Sequence, residues 1–213
     1  MRAAIGARTI DELLGGGFES GIITEIYGEA GTGKTNICLQ LGKVIAGTGK
    51  KVAFIDTEGV SADRLQQICG GHYDEIMRNF LIYKPTTMDA MGRDLIALDK
   101  IPDLGLVVVD SVNLFTRLGR SDEAGYDRTF LDQMLRLQRF ARERDIPILV
   151  TAQVYGSGSD VLPFSGRTMA HLVKTIIRLE KLGVGLRKAV IIKHRSQPES
   201  KETEFTLTAF GIV

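Results

Sequence analysis

The chain has 213 residues, 44% hydrophobic and 25% charged, which excludes a wholly disordered polymer and supplies ample material for one packed core. Its 27 Lys and Arg against 26 Asp and Glu leave a net charge of +1, so net charge singles out no partner class. Cys38 and Cys69 stand far apart with no Cys/His cluster, which argues against a disulfide framework or a zinc site.

No apolar run approaches the roughly 20 residues of a membrane span. Met1 to Gly6 is followed by Arg8, Asp11 and Glu12 rather than an apolar signal core, so the chain reads as soluble and cytoplasmic. Thr9, Ile10, Asp11 and Glu12 form a capping-box pattern, predicting a short helix that stops at Gly15–Gly17. Ile22 to Tyr27 is a β-prone run that leads into Gly28, Glu29, Ala30, Gly31, Thr32, Gly33, Lys34 and Thr35, a match to GxxxxGK[ST]. Glycines at these places let backbone N–H groups converge on phosphate oxygens at the positive end of a helix. Lys34 supplies a point charge to the β- and γ-phosphates, and the Thr35 hydroxyl is placed to ligate Mg²⁺. Nucleotide binding is the strongest reading of the sequence.

A helix is expected from Lys34 to about Ala46, then a strand over Lys51 to Asp56. Asp56, Thr57, Glu58 and Gly59 close that strand, where a carboxylate can face a γ-phosphate and polarise the attacking water, or simply cap a turn. A further helix begins near Ser61. Phe80 to Lys84, Leu104 to Asp110 and Ile146 to Gln153 read as buried strands. The second ends in Asp110, which suits a contact to Mg²⁺; the third ends in Gln153, a neutral amide able to bond a γ-phosphate or its water. Between them, Tyr126 to Arg144 carries Phe130, Leu131, Met134, Leu135, Leu137 and Phe140 at helical spacing.

Strand–helix–strand order with non-alternating strands predicts an α/β fold, a mostly parallel sheet with helices on both faces. His171–Leu182, Leu186–His194 and Thr203–Thr208 predict an antiparallel extension of one edge, and no linker or repeat divides the chain, so residues 1–213 read as one domain. The segments 117–125 and 155–167 leave the edge where binding loops belong. Arg117, Arg120, Tyr155, Phe164 and Arg167 within them are candidates for stacking on bases or meeting phosphates, or they line an ordinary surface loop. Between Phe164 and Arg195 eight basic residues face one acid, Glu180, so the segment carries +7 and the rest −6. That is either a local polyanion site or a solvated strand edge.

The chain resembles the RecA/RadA recombinase superfamily, and within it the archaeal recombinase paralogues. The resemblance runs over nearly the whole chain: Gly21–Gly28 into the phosphate loop, Phe54–Gly59, Val108–Ser111 and Val150–Val154 in the family's order. It implies a RecA-type P-loop ATPase core that uses ATP and Mg²⁺. Glu58 is then the catalytic carboxylate, Gln153 the γ-phosphate sensor, and Arg64 a residue stacking on adenine, while 117–125 and 155–167 match the two DNA-binding loops. Only 27 residues precede Gly28, so an N-terminal helical DNA-binding domain and a polymerisation segment are not expected, and the second DNA loop is short. An accessory role follows: binding of single-stranded or branched DNA, contact with a full-length recombinase or a recombination nuclease, possible homo-oligomers, weak ATPase activity and no strand exchange alone. Lys193 and Arg195 resemble a Lys-x-Arg that reaches a neighbouring subunit's nucleotide in KaiC-type ATPases. A KaiC-like regulatory ATPase, or an ATP-binding protein-interaction module, is the alternative.

Overall fold

The computed structural model describes residues 1–115, 123–155, 162–163 and 171–213. The elements in chain order are β1 (Arg2–Ala3), α1 (Arg8–Leu13), β2 (Phe18–Glu19), β3 (Ile23–Gly28), α2 (Lys34–Gly47), β4 (Lys51–Asp56), α3 (Ala62–Cys69), α4 (Tyr73–Met77), β5 (Phe80–Tyr83), α5 (Met88–Ala97) and β6 (Leu104–Asp110). They continue with α6 (Glu123–Arg144), β7 (Ile148–Ala152), β8 (Val154–Tyr155), β9 (Leu162–Pro163), β10 (Thr175–Lys181), β11 (Leu186–Lys193), β12 (Glu202–Thr208) and β13 (Gly211–Ile212). Among the described residues nine strands form one sheet in the order β13-β12-β11-β10-β3-β7-β6-β4-β5. β10, β3, β7, β6, β4 and β5 run parallel, and β11, β12 and β13 continue antiparallel. The expected antiparallel extension is therefore present and is joined to the core by a parallel strand, β10.

The central strands are apolar on both faces because both faces are covered. Val52 and Phe54 of β4 and Leu106 and Val108 of β6 enter one core with residues of α1, α2, α3 and α4. Ala53, Ile55, Val107 and Val109 alternate into the other, against α5 and α6. Period-two alternation inside a wholly apolar run thus divides each strand between two cores. On α6, Phe130, Met134, Leu137 and Phe140 are buried as their spacing predicts, whereas Leu135 is 44% exposed, one position off that stripe. Among the described residues no helix is long and apolar enough to cross a membrane. Cys38 and Cys69 are buried and unpaired with each other.

Local chemistry departs from the sequence reading at α1. Thr9 lies inside the helix rather than at its cap, and its hydroxyl is buried without a partner. No side chain caps the helix at Ala7; Asp11 instead fastens the approach to it, accepting from Ile5 N at 2.9 Å and Gly6 N at 3.1 Å. Gly105 of β6 is required for a different reason. A Cβ there would lie 2.8 Å from both Ile45 Cγ2 and Lys50 Cβ, so α2 and the turn after it rest directly on the β6 backbone. Gly105→Val is expected to cost about 1–3 kcal/mol by overpacking, lowering Tm by roughly 2–4 °C per kcal/mol for a chain this size. A thermal melt of the variant superimposing on the parent's contradicts this packing.

Candidate functional site

The phosphate-loop segment joins the C-terminal end of β3 to α2. Gly28 has φ +156° and a Cβ on it would meet Leu179 O at 2.4 Å, so β10 presses against the loop where only glycine fits. Gly33, in the left-handed region at φ +104°, caps α2, and a Cβ there would contact Leu207 Cδ2 at 3.0 Å. Thr32 Oγ1 donates to Glu29 O at 2.9 Å and closes the loop on itself. Glu29, Ala30 and Gly31 form its exposed rim. Lys34, buried at the start of α2, donates from Nζ to Gly28 O at 2.8 Å and Glu29 O at 2.9 Å. Burial lowers its pKa, opposed by the charges of Asp110 and Glu58.

Thr35 and Asp110 meet at the C-terminal edge of the parallel sheet. Thr35 Oγ1 donates to Asp110 Oδ2 at 2.7 Å, and Thr151 Oγ1 of β7 donates to Asp110 Oδ1. Asp110 is 2% exposed. Burial raises its pKa, while the hydroxyls of Thr151 and Thr35 act in the opposite sense. A hydroxyl and a carboxylate side by side are hard oxygen donors and fit a magnesium ion.

The two acids after β4 divide the possibilities that the sequence left open. Asp56 is a turn residue: its carboxylate accepts from Gly59 N at 2.7 Å and Val60 N at 2.8 Å. Glu58 points the other way, accepting from Gln153 Nε2 at 3.0 and 3.1 Å and from Ser111 Oγ at 2.6 Å. The carboxylate and the amide expected to flank a γ-phosphate are thus in contact, brought together from β4 and the residue after β7. Ser111 and Thr151 were not singled out by sequence reasoning. A buried hydroxyl beside a carboxylate, exposed at Glu58 and buried at Asp110, leaves no local pattern, since each pair is joined between residues remote in sequence.

Arg64 sits at the start of α3, where Ser61 caps the helix. Its guanidinium donates to Asn36 Oδ1 at 2.5 Å and to Thr208 O and Ala209 O, both at 2.9 Å. It therefore ties α2 and α3 to the turn between β12 and β13. Lys193 and Arg195 lie at the other end of β11 from the phosphate loop: Lys193 pairs in register with Ile176, whereas Arg187 pairs with Lys181 beyond the loop strand. Lys193 Nζ donates to Val173 O at 3.0 Å, and Arg195 forms an ion pair with Glu19 at 2.5 Å. Neither serves this chain's own loop. Arg187 of the tail does touch it, its Nε donating to Gly31 O at 3.0 Å, and Lys181 Nζ lies 3.5 Å from where a Cβ on Gly31 would stand. Much of the basic segment is internally matched, with Arg178 and Lys188 on Glu180 and Lys188 also on Glu202. Arg117, Arg120, Phe164 and Arg167 lie outside the described residues, and for Tyr155 only the backbone, in β8, is described.

A match to the Rad51 family spans residues 1–213. The DNA repair and recombination protein RadB of Methanococcoides burtonii is 44% identical over 212 residues, covering 96% of this chain and 94% of that one. RadB of Archaeoglobus fulgidus is 38% identical over 221 residues, covering 100% and 98%. A solved structure of a RadB recombinase superposes with a TM-score of 0.85 at 35% identity, covering 99% of this chain and 98% of the other.

The raised Asp110 pKa has a consequence for stability in the metal-free protein. Between its unfolded and raised folded values the native state binds more protons than the unfolded chain, so this group's contribution to stability falls as pH rises through that window. Asp110→Asn removes the penalty. At pH 7 the variant is expected to melt above the metal-free parent, with the difference shrinking as pH falls toward the ordinary carboxylate range. A parent that melts higher at pH 7 contradicts the assignment of burial as the dominant effect.

Proposed function

This chain belongs to the Rad51 family, and from that premise we propose that it is an ATP- and DNA-binding accessory protein of homologous recombination and DNA repair. It hydrolyses ATP weakly with Mg²⁺ and does not perform strand exchange alone. The observation that carries the reading is the convergence of Lys34, Thr35, Asp110, Glu58 and Gln153 at one edge of the parallel sheet, on a phosphate loop that has the glycines its curvature requires. Residues 1–213 act as a single ATPase core.

Each residue has a defined task. The loop N–H groups and the α2 N-terminus hold the phosphates. Lys34 exchanges its two carbonyl partners for phosphate oxygens, a trade that favours its charged form over the present buried state. Thr35 and Asp110 would hold Mg²⁺, which supplies neutralisation of phosphate charge when bound. Glu58 accepts a hydrogen bond from the attacking water and orients it in line. Gln153 now donates to Glu58, and transfer of that donor to the γ-phosphate frees a lone pair on the carboxylate for the water. Because Gln153 directly precedes β8, the same transfer reports nucleotide state to segment 155–167, the proposed second DNA loop. Arg64, half-buried, stacks on adenine in this reading. Partners of this assembly are single-stranded or branched DNA and a full-length recombinase or recombination nuclease, all consistent with work in the cytoplasm.

Two outcomes check the reading. Lys34→Ala should weaken ATP binding by roughly 10- to 100-fold, the loss of charge-assisted hydrogen bonds, while melting near the parent because Ala is a good helix former. Unchanged ATP affinity contradicts the nucleotide site. Single-stranded DNA affinity of the parent should fall with salt, with a logarithmic slope of at least about 1.4, equivalent to two phosphates neutralised. A flat slope, with ATP binding intact, makes the chain a regulatory ATP-binding module instead.

A further inference from the structure

We propose that Ser111 is the positioning residue of this site: its hydroxyl fixes the Glu58 carboxylate at the place from which it orients the attacking water. The inference rests on the reading of Glu58 as the water-orienting group and goes beyond it by assigning what holds that group still. Glu58 is solvent-exposed, and an exposed glutamate on three rotatable bonds ordinarily samples several rotamers. Here it does not hang free. Ser111, fully buried, places its one hydroxyl proton on Glu58 Oε1 at 2.6 Å.

Ser111 is itself fixed by its neighbour across the strands. Its N–H donates to Thr57 Oγ1 at 2.8 Å, and Thr57 Oγ1 donates to its carbonyl at 2.9 Å. Thr57 N completes the latch on Asp110 O at 2.9 Å. The residue before Glu58 therefore locks the backbone of the residue whose side chain holds Glu58, and residue 57 cannot shift relative to the end of β6 without breaking these three bonds. Two residues on, buried Asn113 does the same for the sensor's backbone, accepting from Gln153 N at 3.3 Å and donating to Gln153 O at 3.0 Å. Gln153 must leave Glu58 if it is to reach a γ-phosphate, whereas Ser111 need not. After that exchange Ser111 is the donor that keeps the carboxylate in line, and sub-ångström placement is what a water-orienting group requires.

The test is single-turnover ATP hydrolysis in a double-mutant cycle, with Kd for ATP measured in parallel. Ser111→Ala should slow the chemical step roughly tenfold or more, the loss of a hydrogen bond to a charged group, with Kd within about twofold of the parent's. In a Glu58→Gln background the same substitution should add little, because Ser111 acts through Glu58. An equal loss in both backgrounds, or a loss confined to Kd, overturns the proposal. Full turnover in Ser111→Ala with slow turnover in Glu58→Gln overturns it while leaving Glu58 in place, and full turnover in Glu58→Gln overturns both. If Ser111→Ala does not fold, the latch is tested from the other side. Thr57→Val should turn over at least about threefold more slowly than Thr57→Ser, which keeps the hydroxyl; equal rates overturn the proposal.

Discussion

A single buried carboxylate organises the edge of the sheet where the phosphate-loop motif lies. Asp110 is 2% exposed and receives hydroxyl protons on both oxygens, from Thr35 at the start of α2 and from Thr151 of β7. Three elements remote in sequence are thereby held at one point. The arrangement is deliberately incomplete, since burial outweighs the two hydroxyls and pushes the carboxyl toward its neutral form. Lys34, the neighbouring cation, is lowered by burial in turn and bonds to neutral carbonyls rather than to a carboxylate. Both charges are under-satisfied in the bare protein, the condition under which a cation–polyphosphate complex gains most by binding.

Sheet topology supplies the rest. With β7 inserted between β3 and β6, and β4 beyond them, the C-terminal ends of four parallel strands present the loop, Gln153, Asp110 and Glu58 along one edge. β10 extends that edge in the same direction, and Arg187, carried back on β11, fastens to the loop at Gly31. The antiparallel tail is thus part of the site's wall. Through Leu207 against Gly33 and Arg64 against the β12–β13 turn, it also connects the loop and the start of α3 to β12 and β13.

The fold was legible where burial and local pattern coincide. Lys51–Asp56 and Leu104–Asp110 are strands with the predicted bounds, because fully covered parallel strands are uninterrupted apolar runs. β10 starts at Thr175, four residues later than the apolar pattern indicated. α5 escaped the sequence reading although Thr87 caps it by accepting from Ala90 N and Asp89 stands in its first turn, because its buried stripe is only Met88, Met91 and Leu95. The failed capping box at Thr9 is instructive in the same way. The helix starts ahead of Thr9, at Arg8 after an uncapped Ala7, and Asp11 turns back to hold the N–H groups of Ile5 and Gly6, a choice set by the path of residues 5–7. In the candidate site, Lys34 and Thr35 of the contiguous motif and Asp110 at a strand end stand out in the sequence, and the structure brings Thr35 and Asp110 into contact. Ser111, Thr57 and Thr151 act across strands, so only the three-dimensional register reveals them.

The central claim is that four separate strand ends form one nucleotide site. Amide hydrogen exchange with and without MgATP measures this directly, because a shared ligand slows local opening of every segment it bridges. Residues 28–36, 57–60, 110–113 and 151–154 should all exchange more slowly when MgATP is present. Protection confined to residues 28–36, or exchange unaltered throughout, would contradict it.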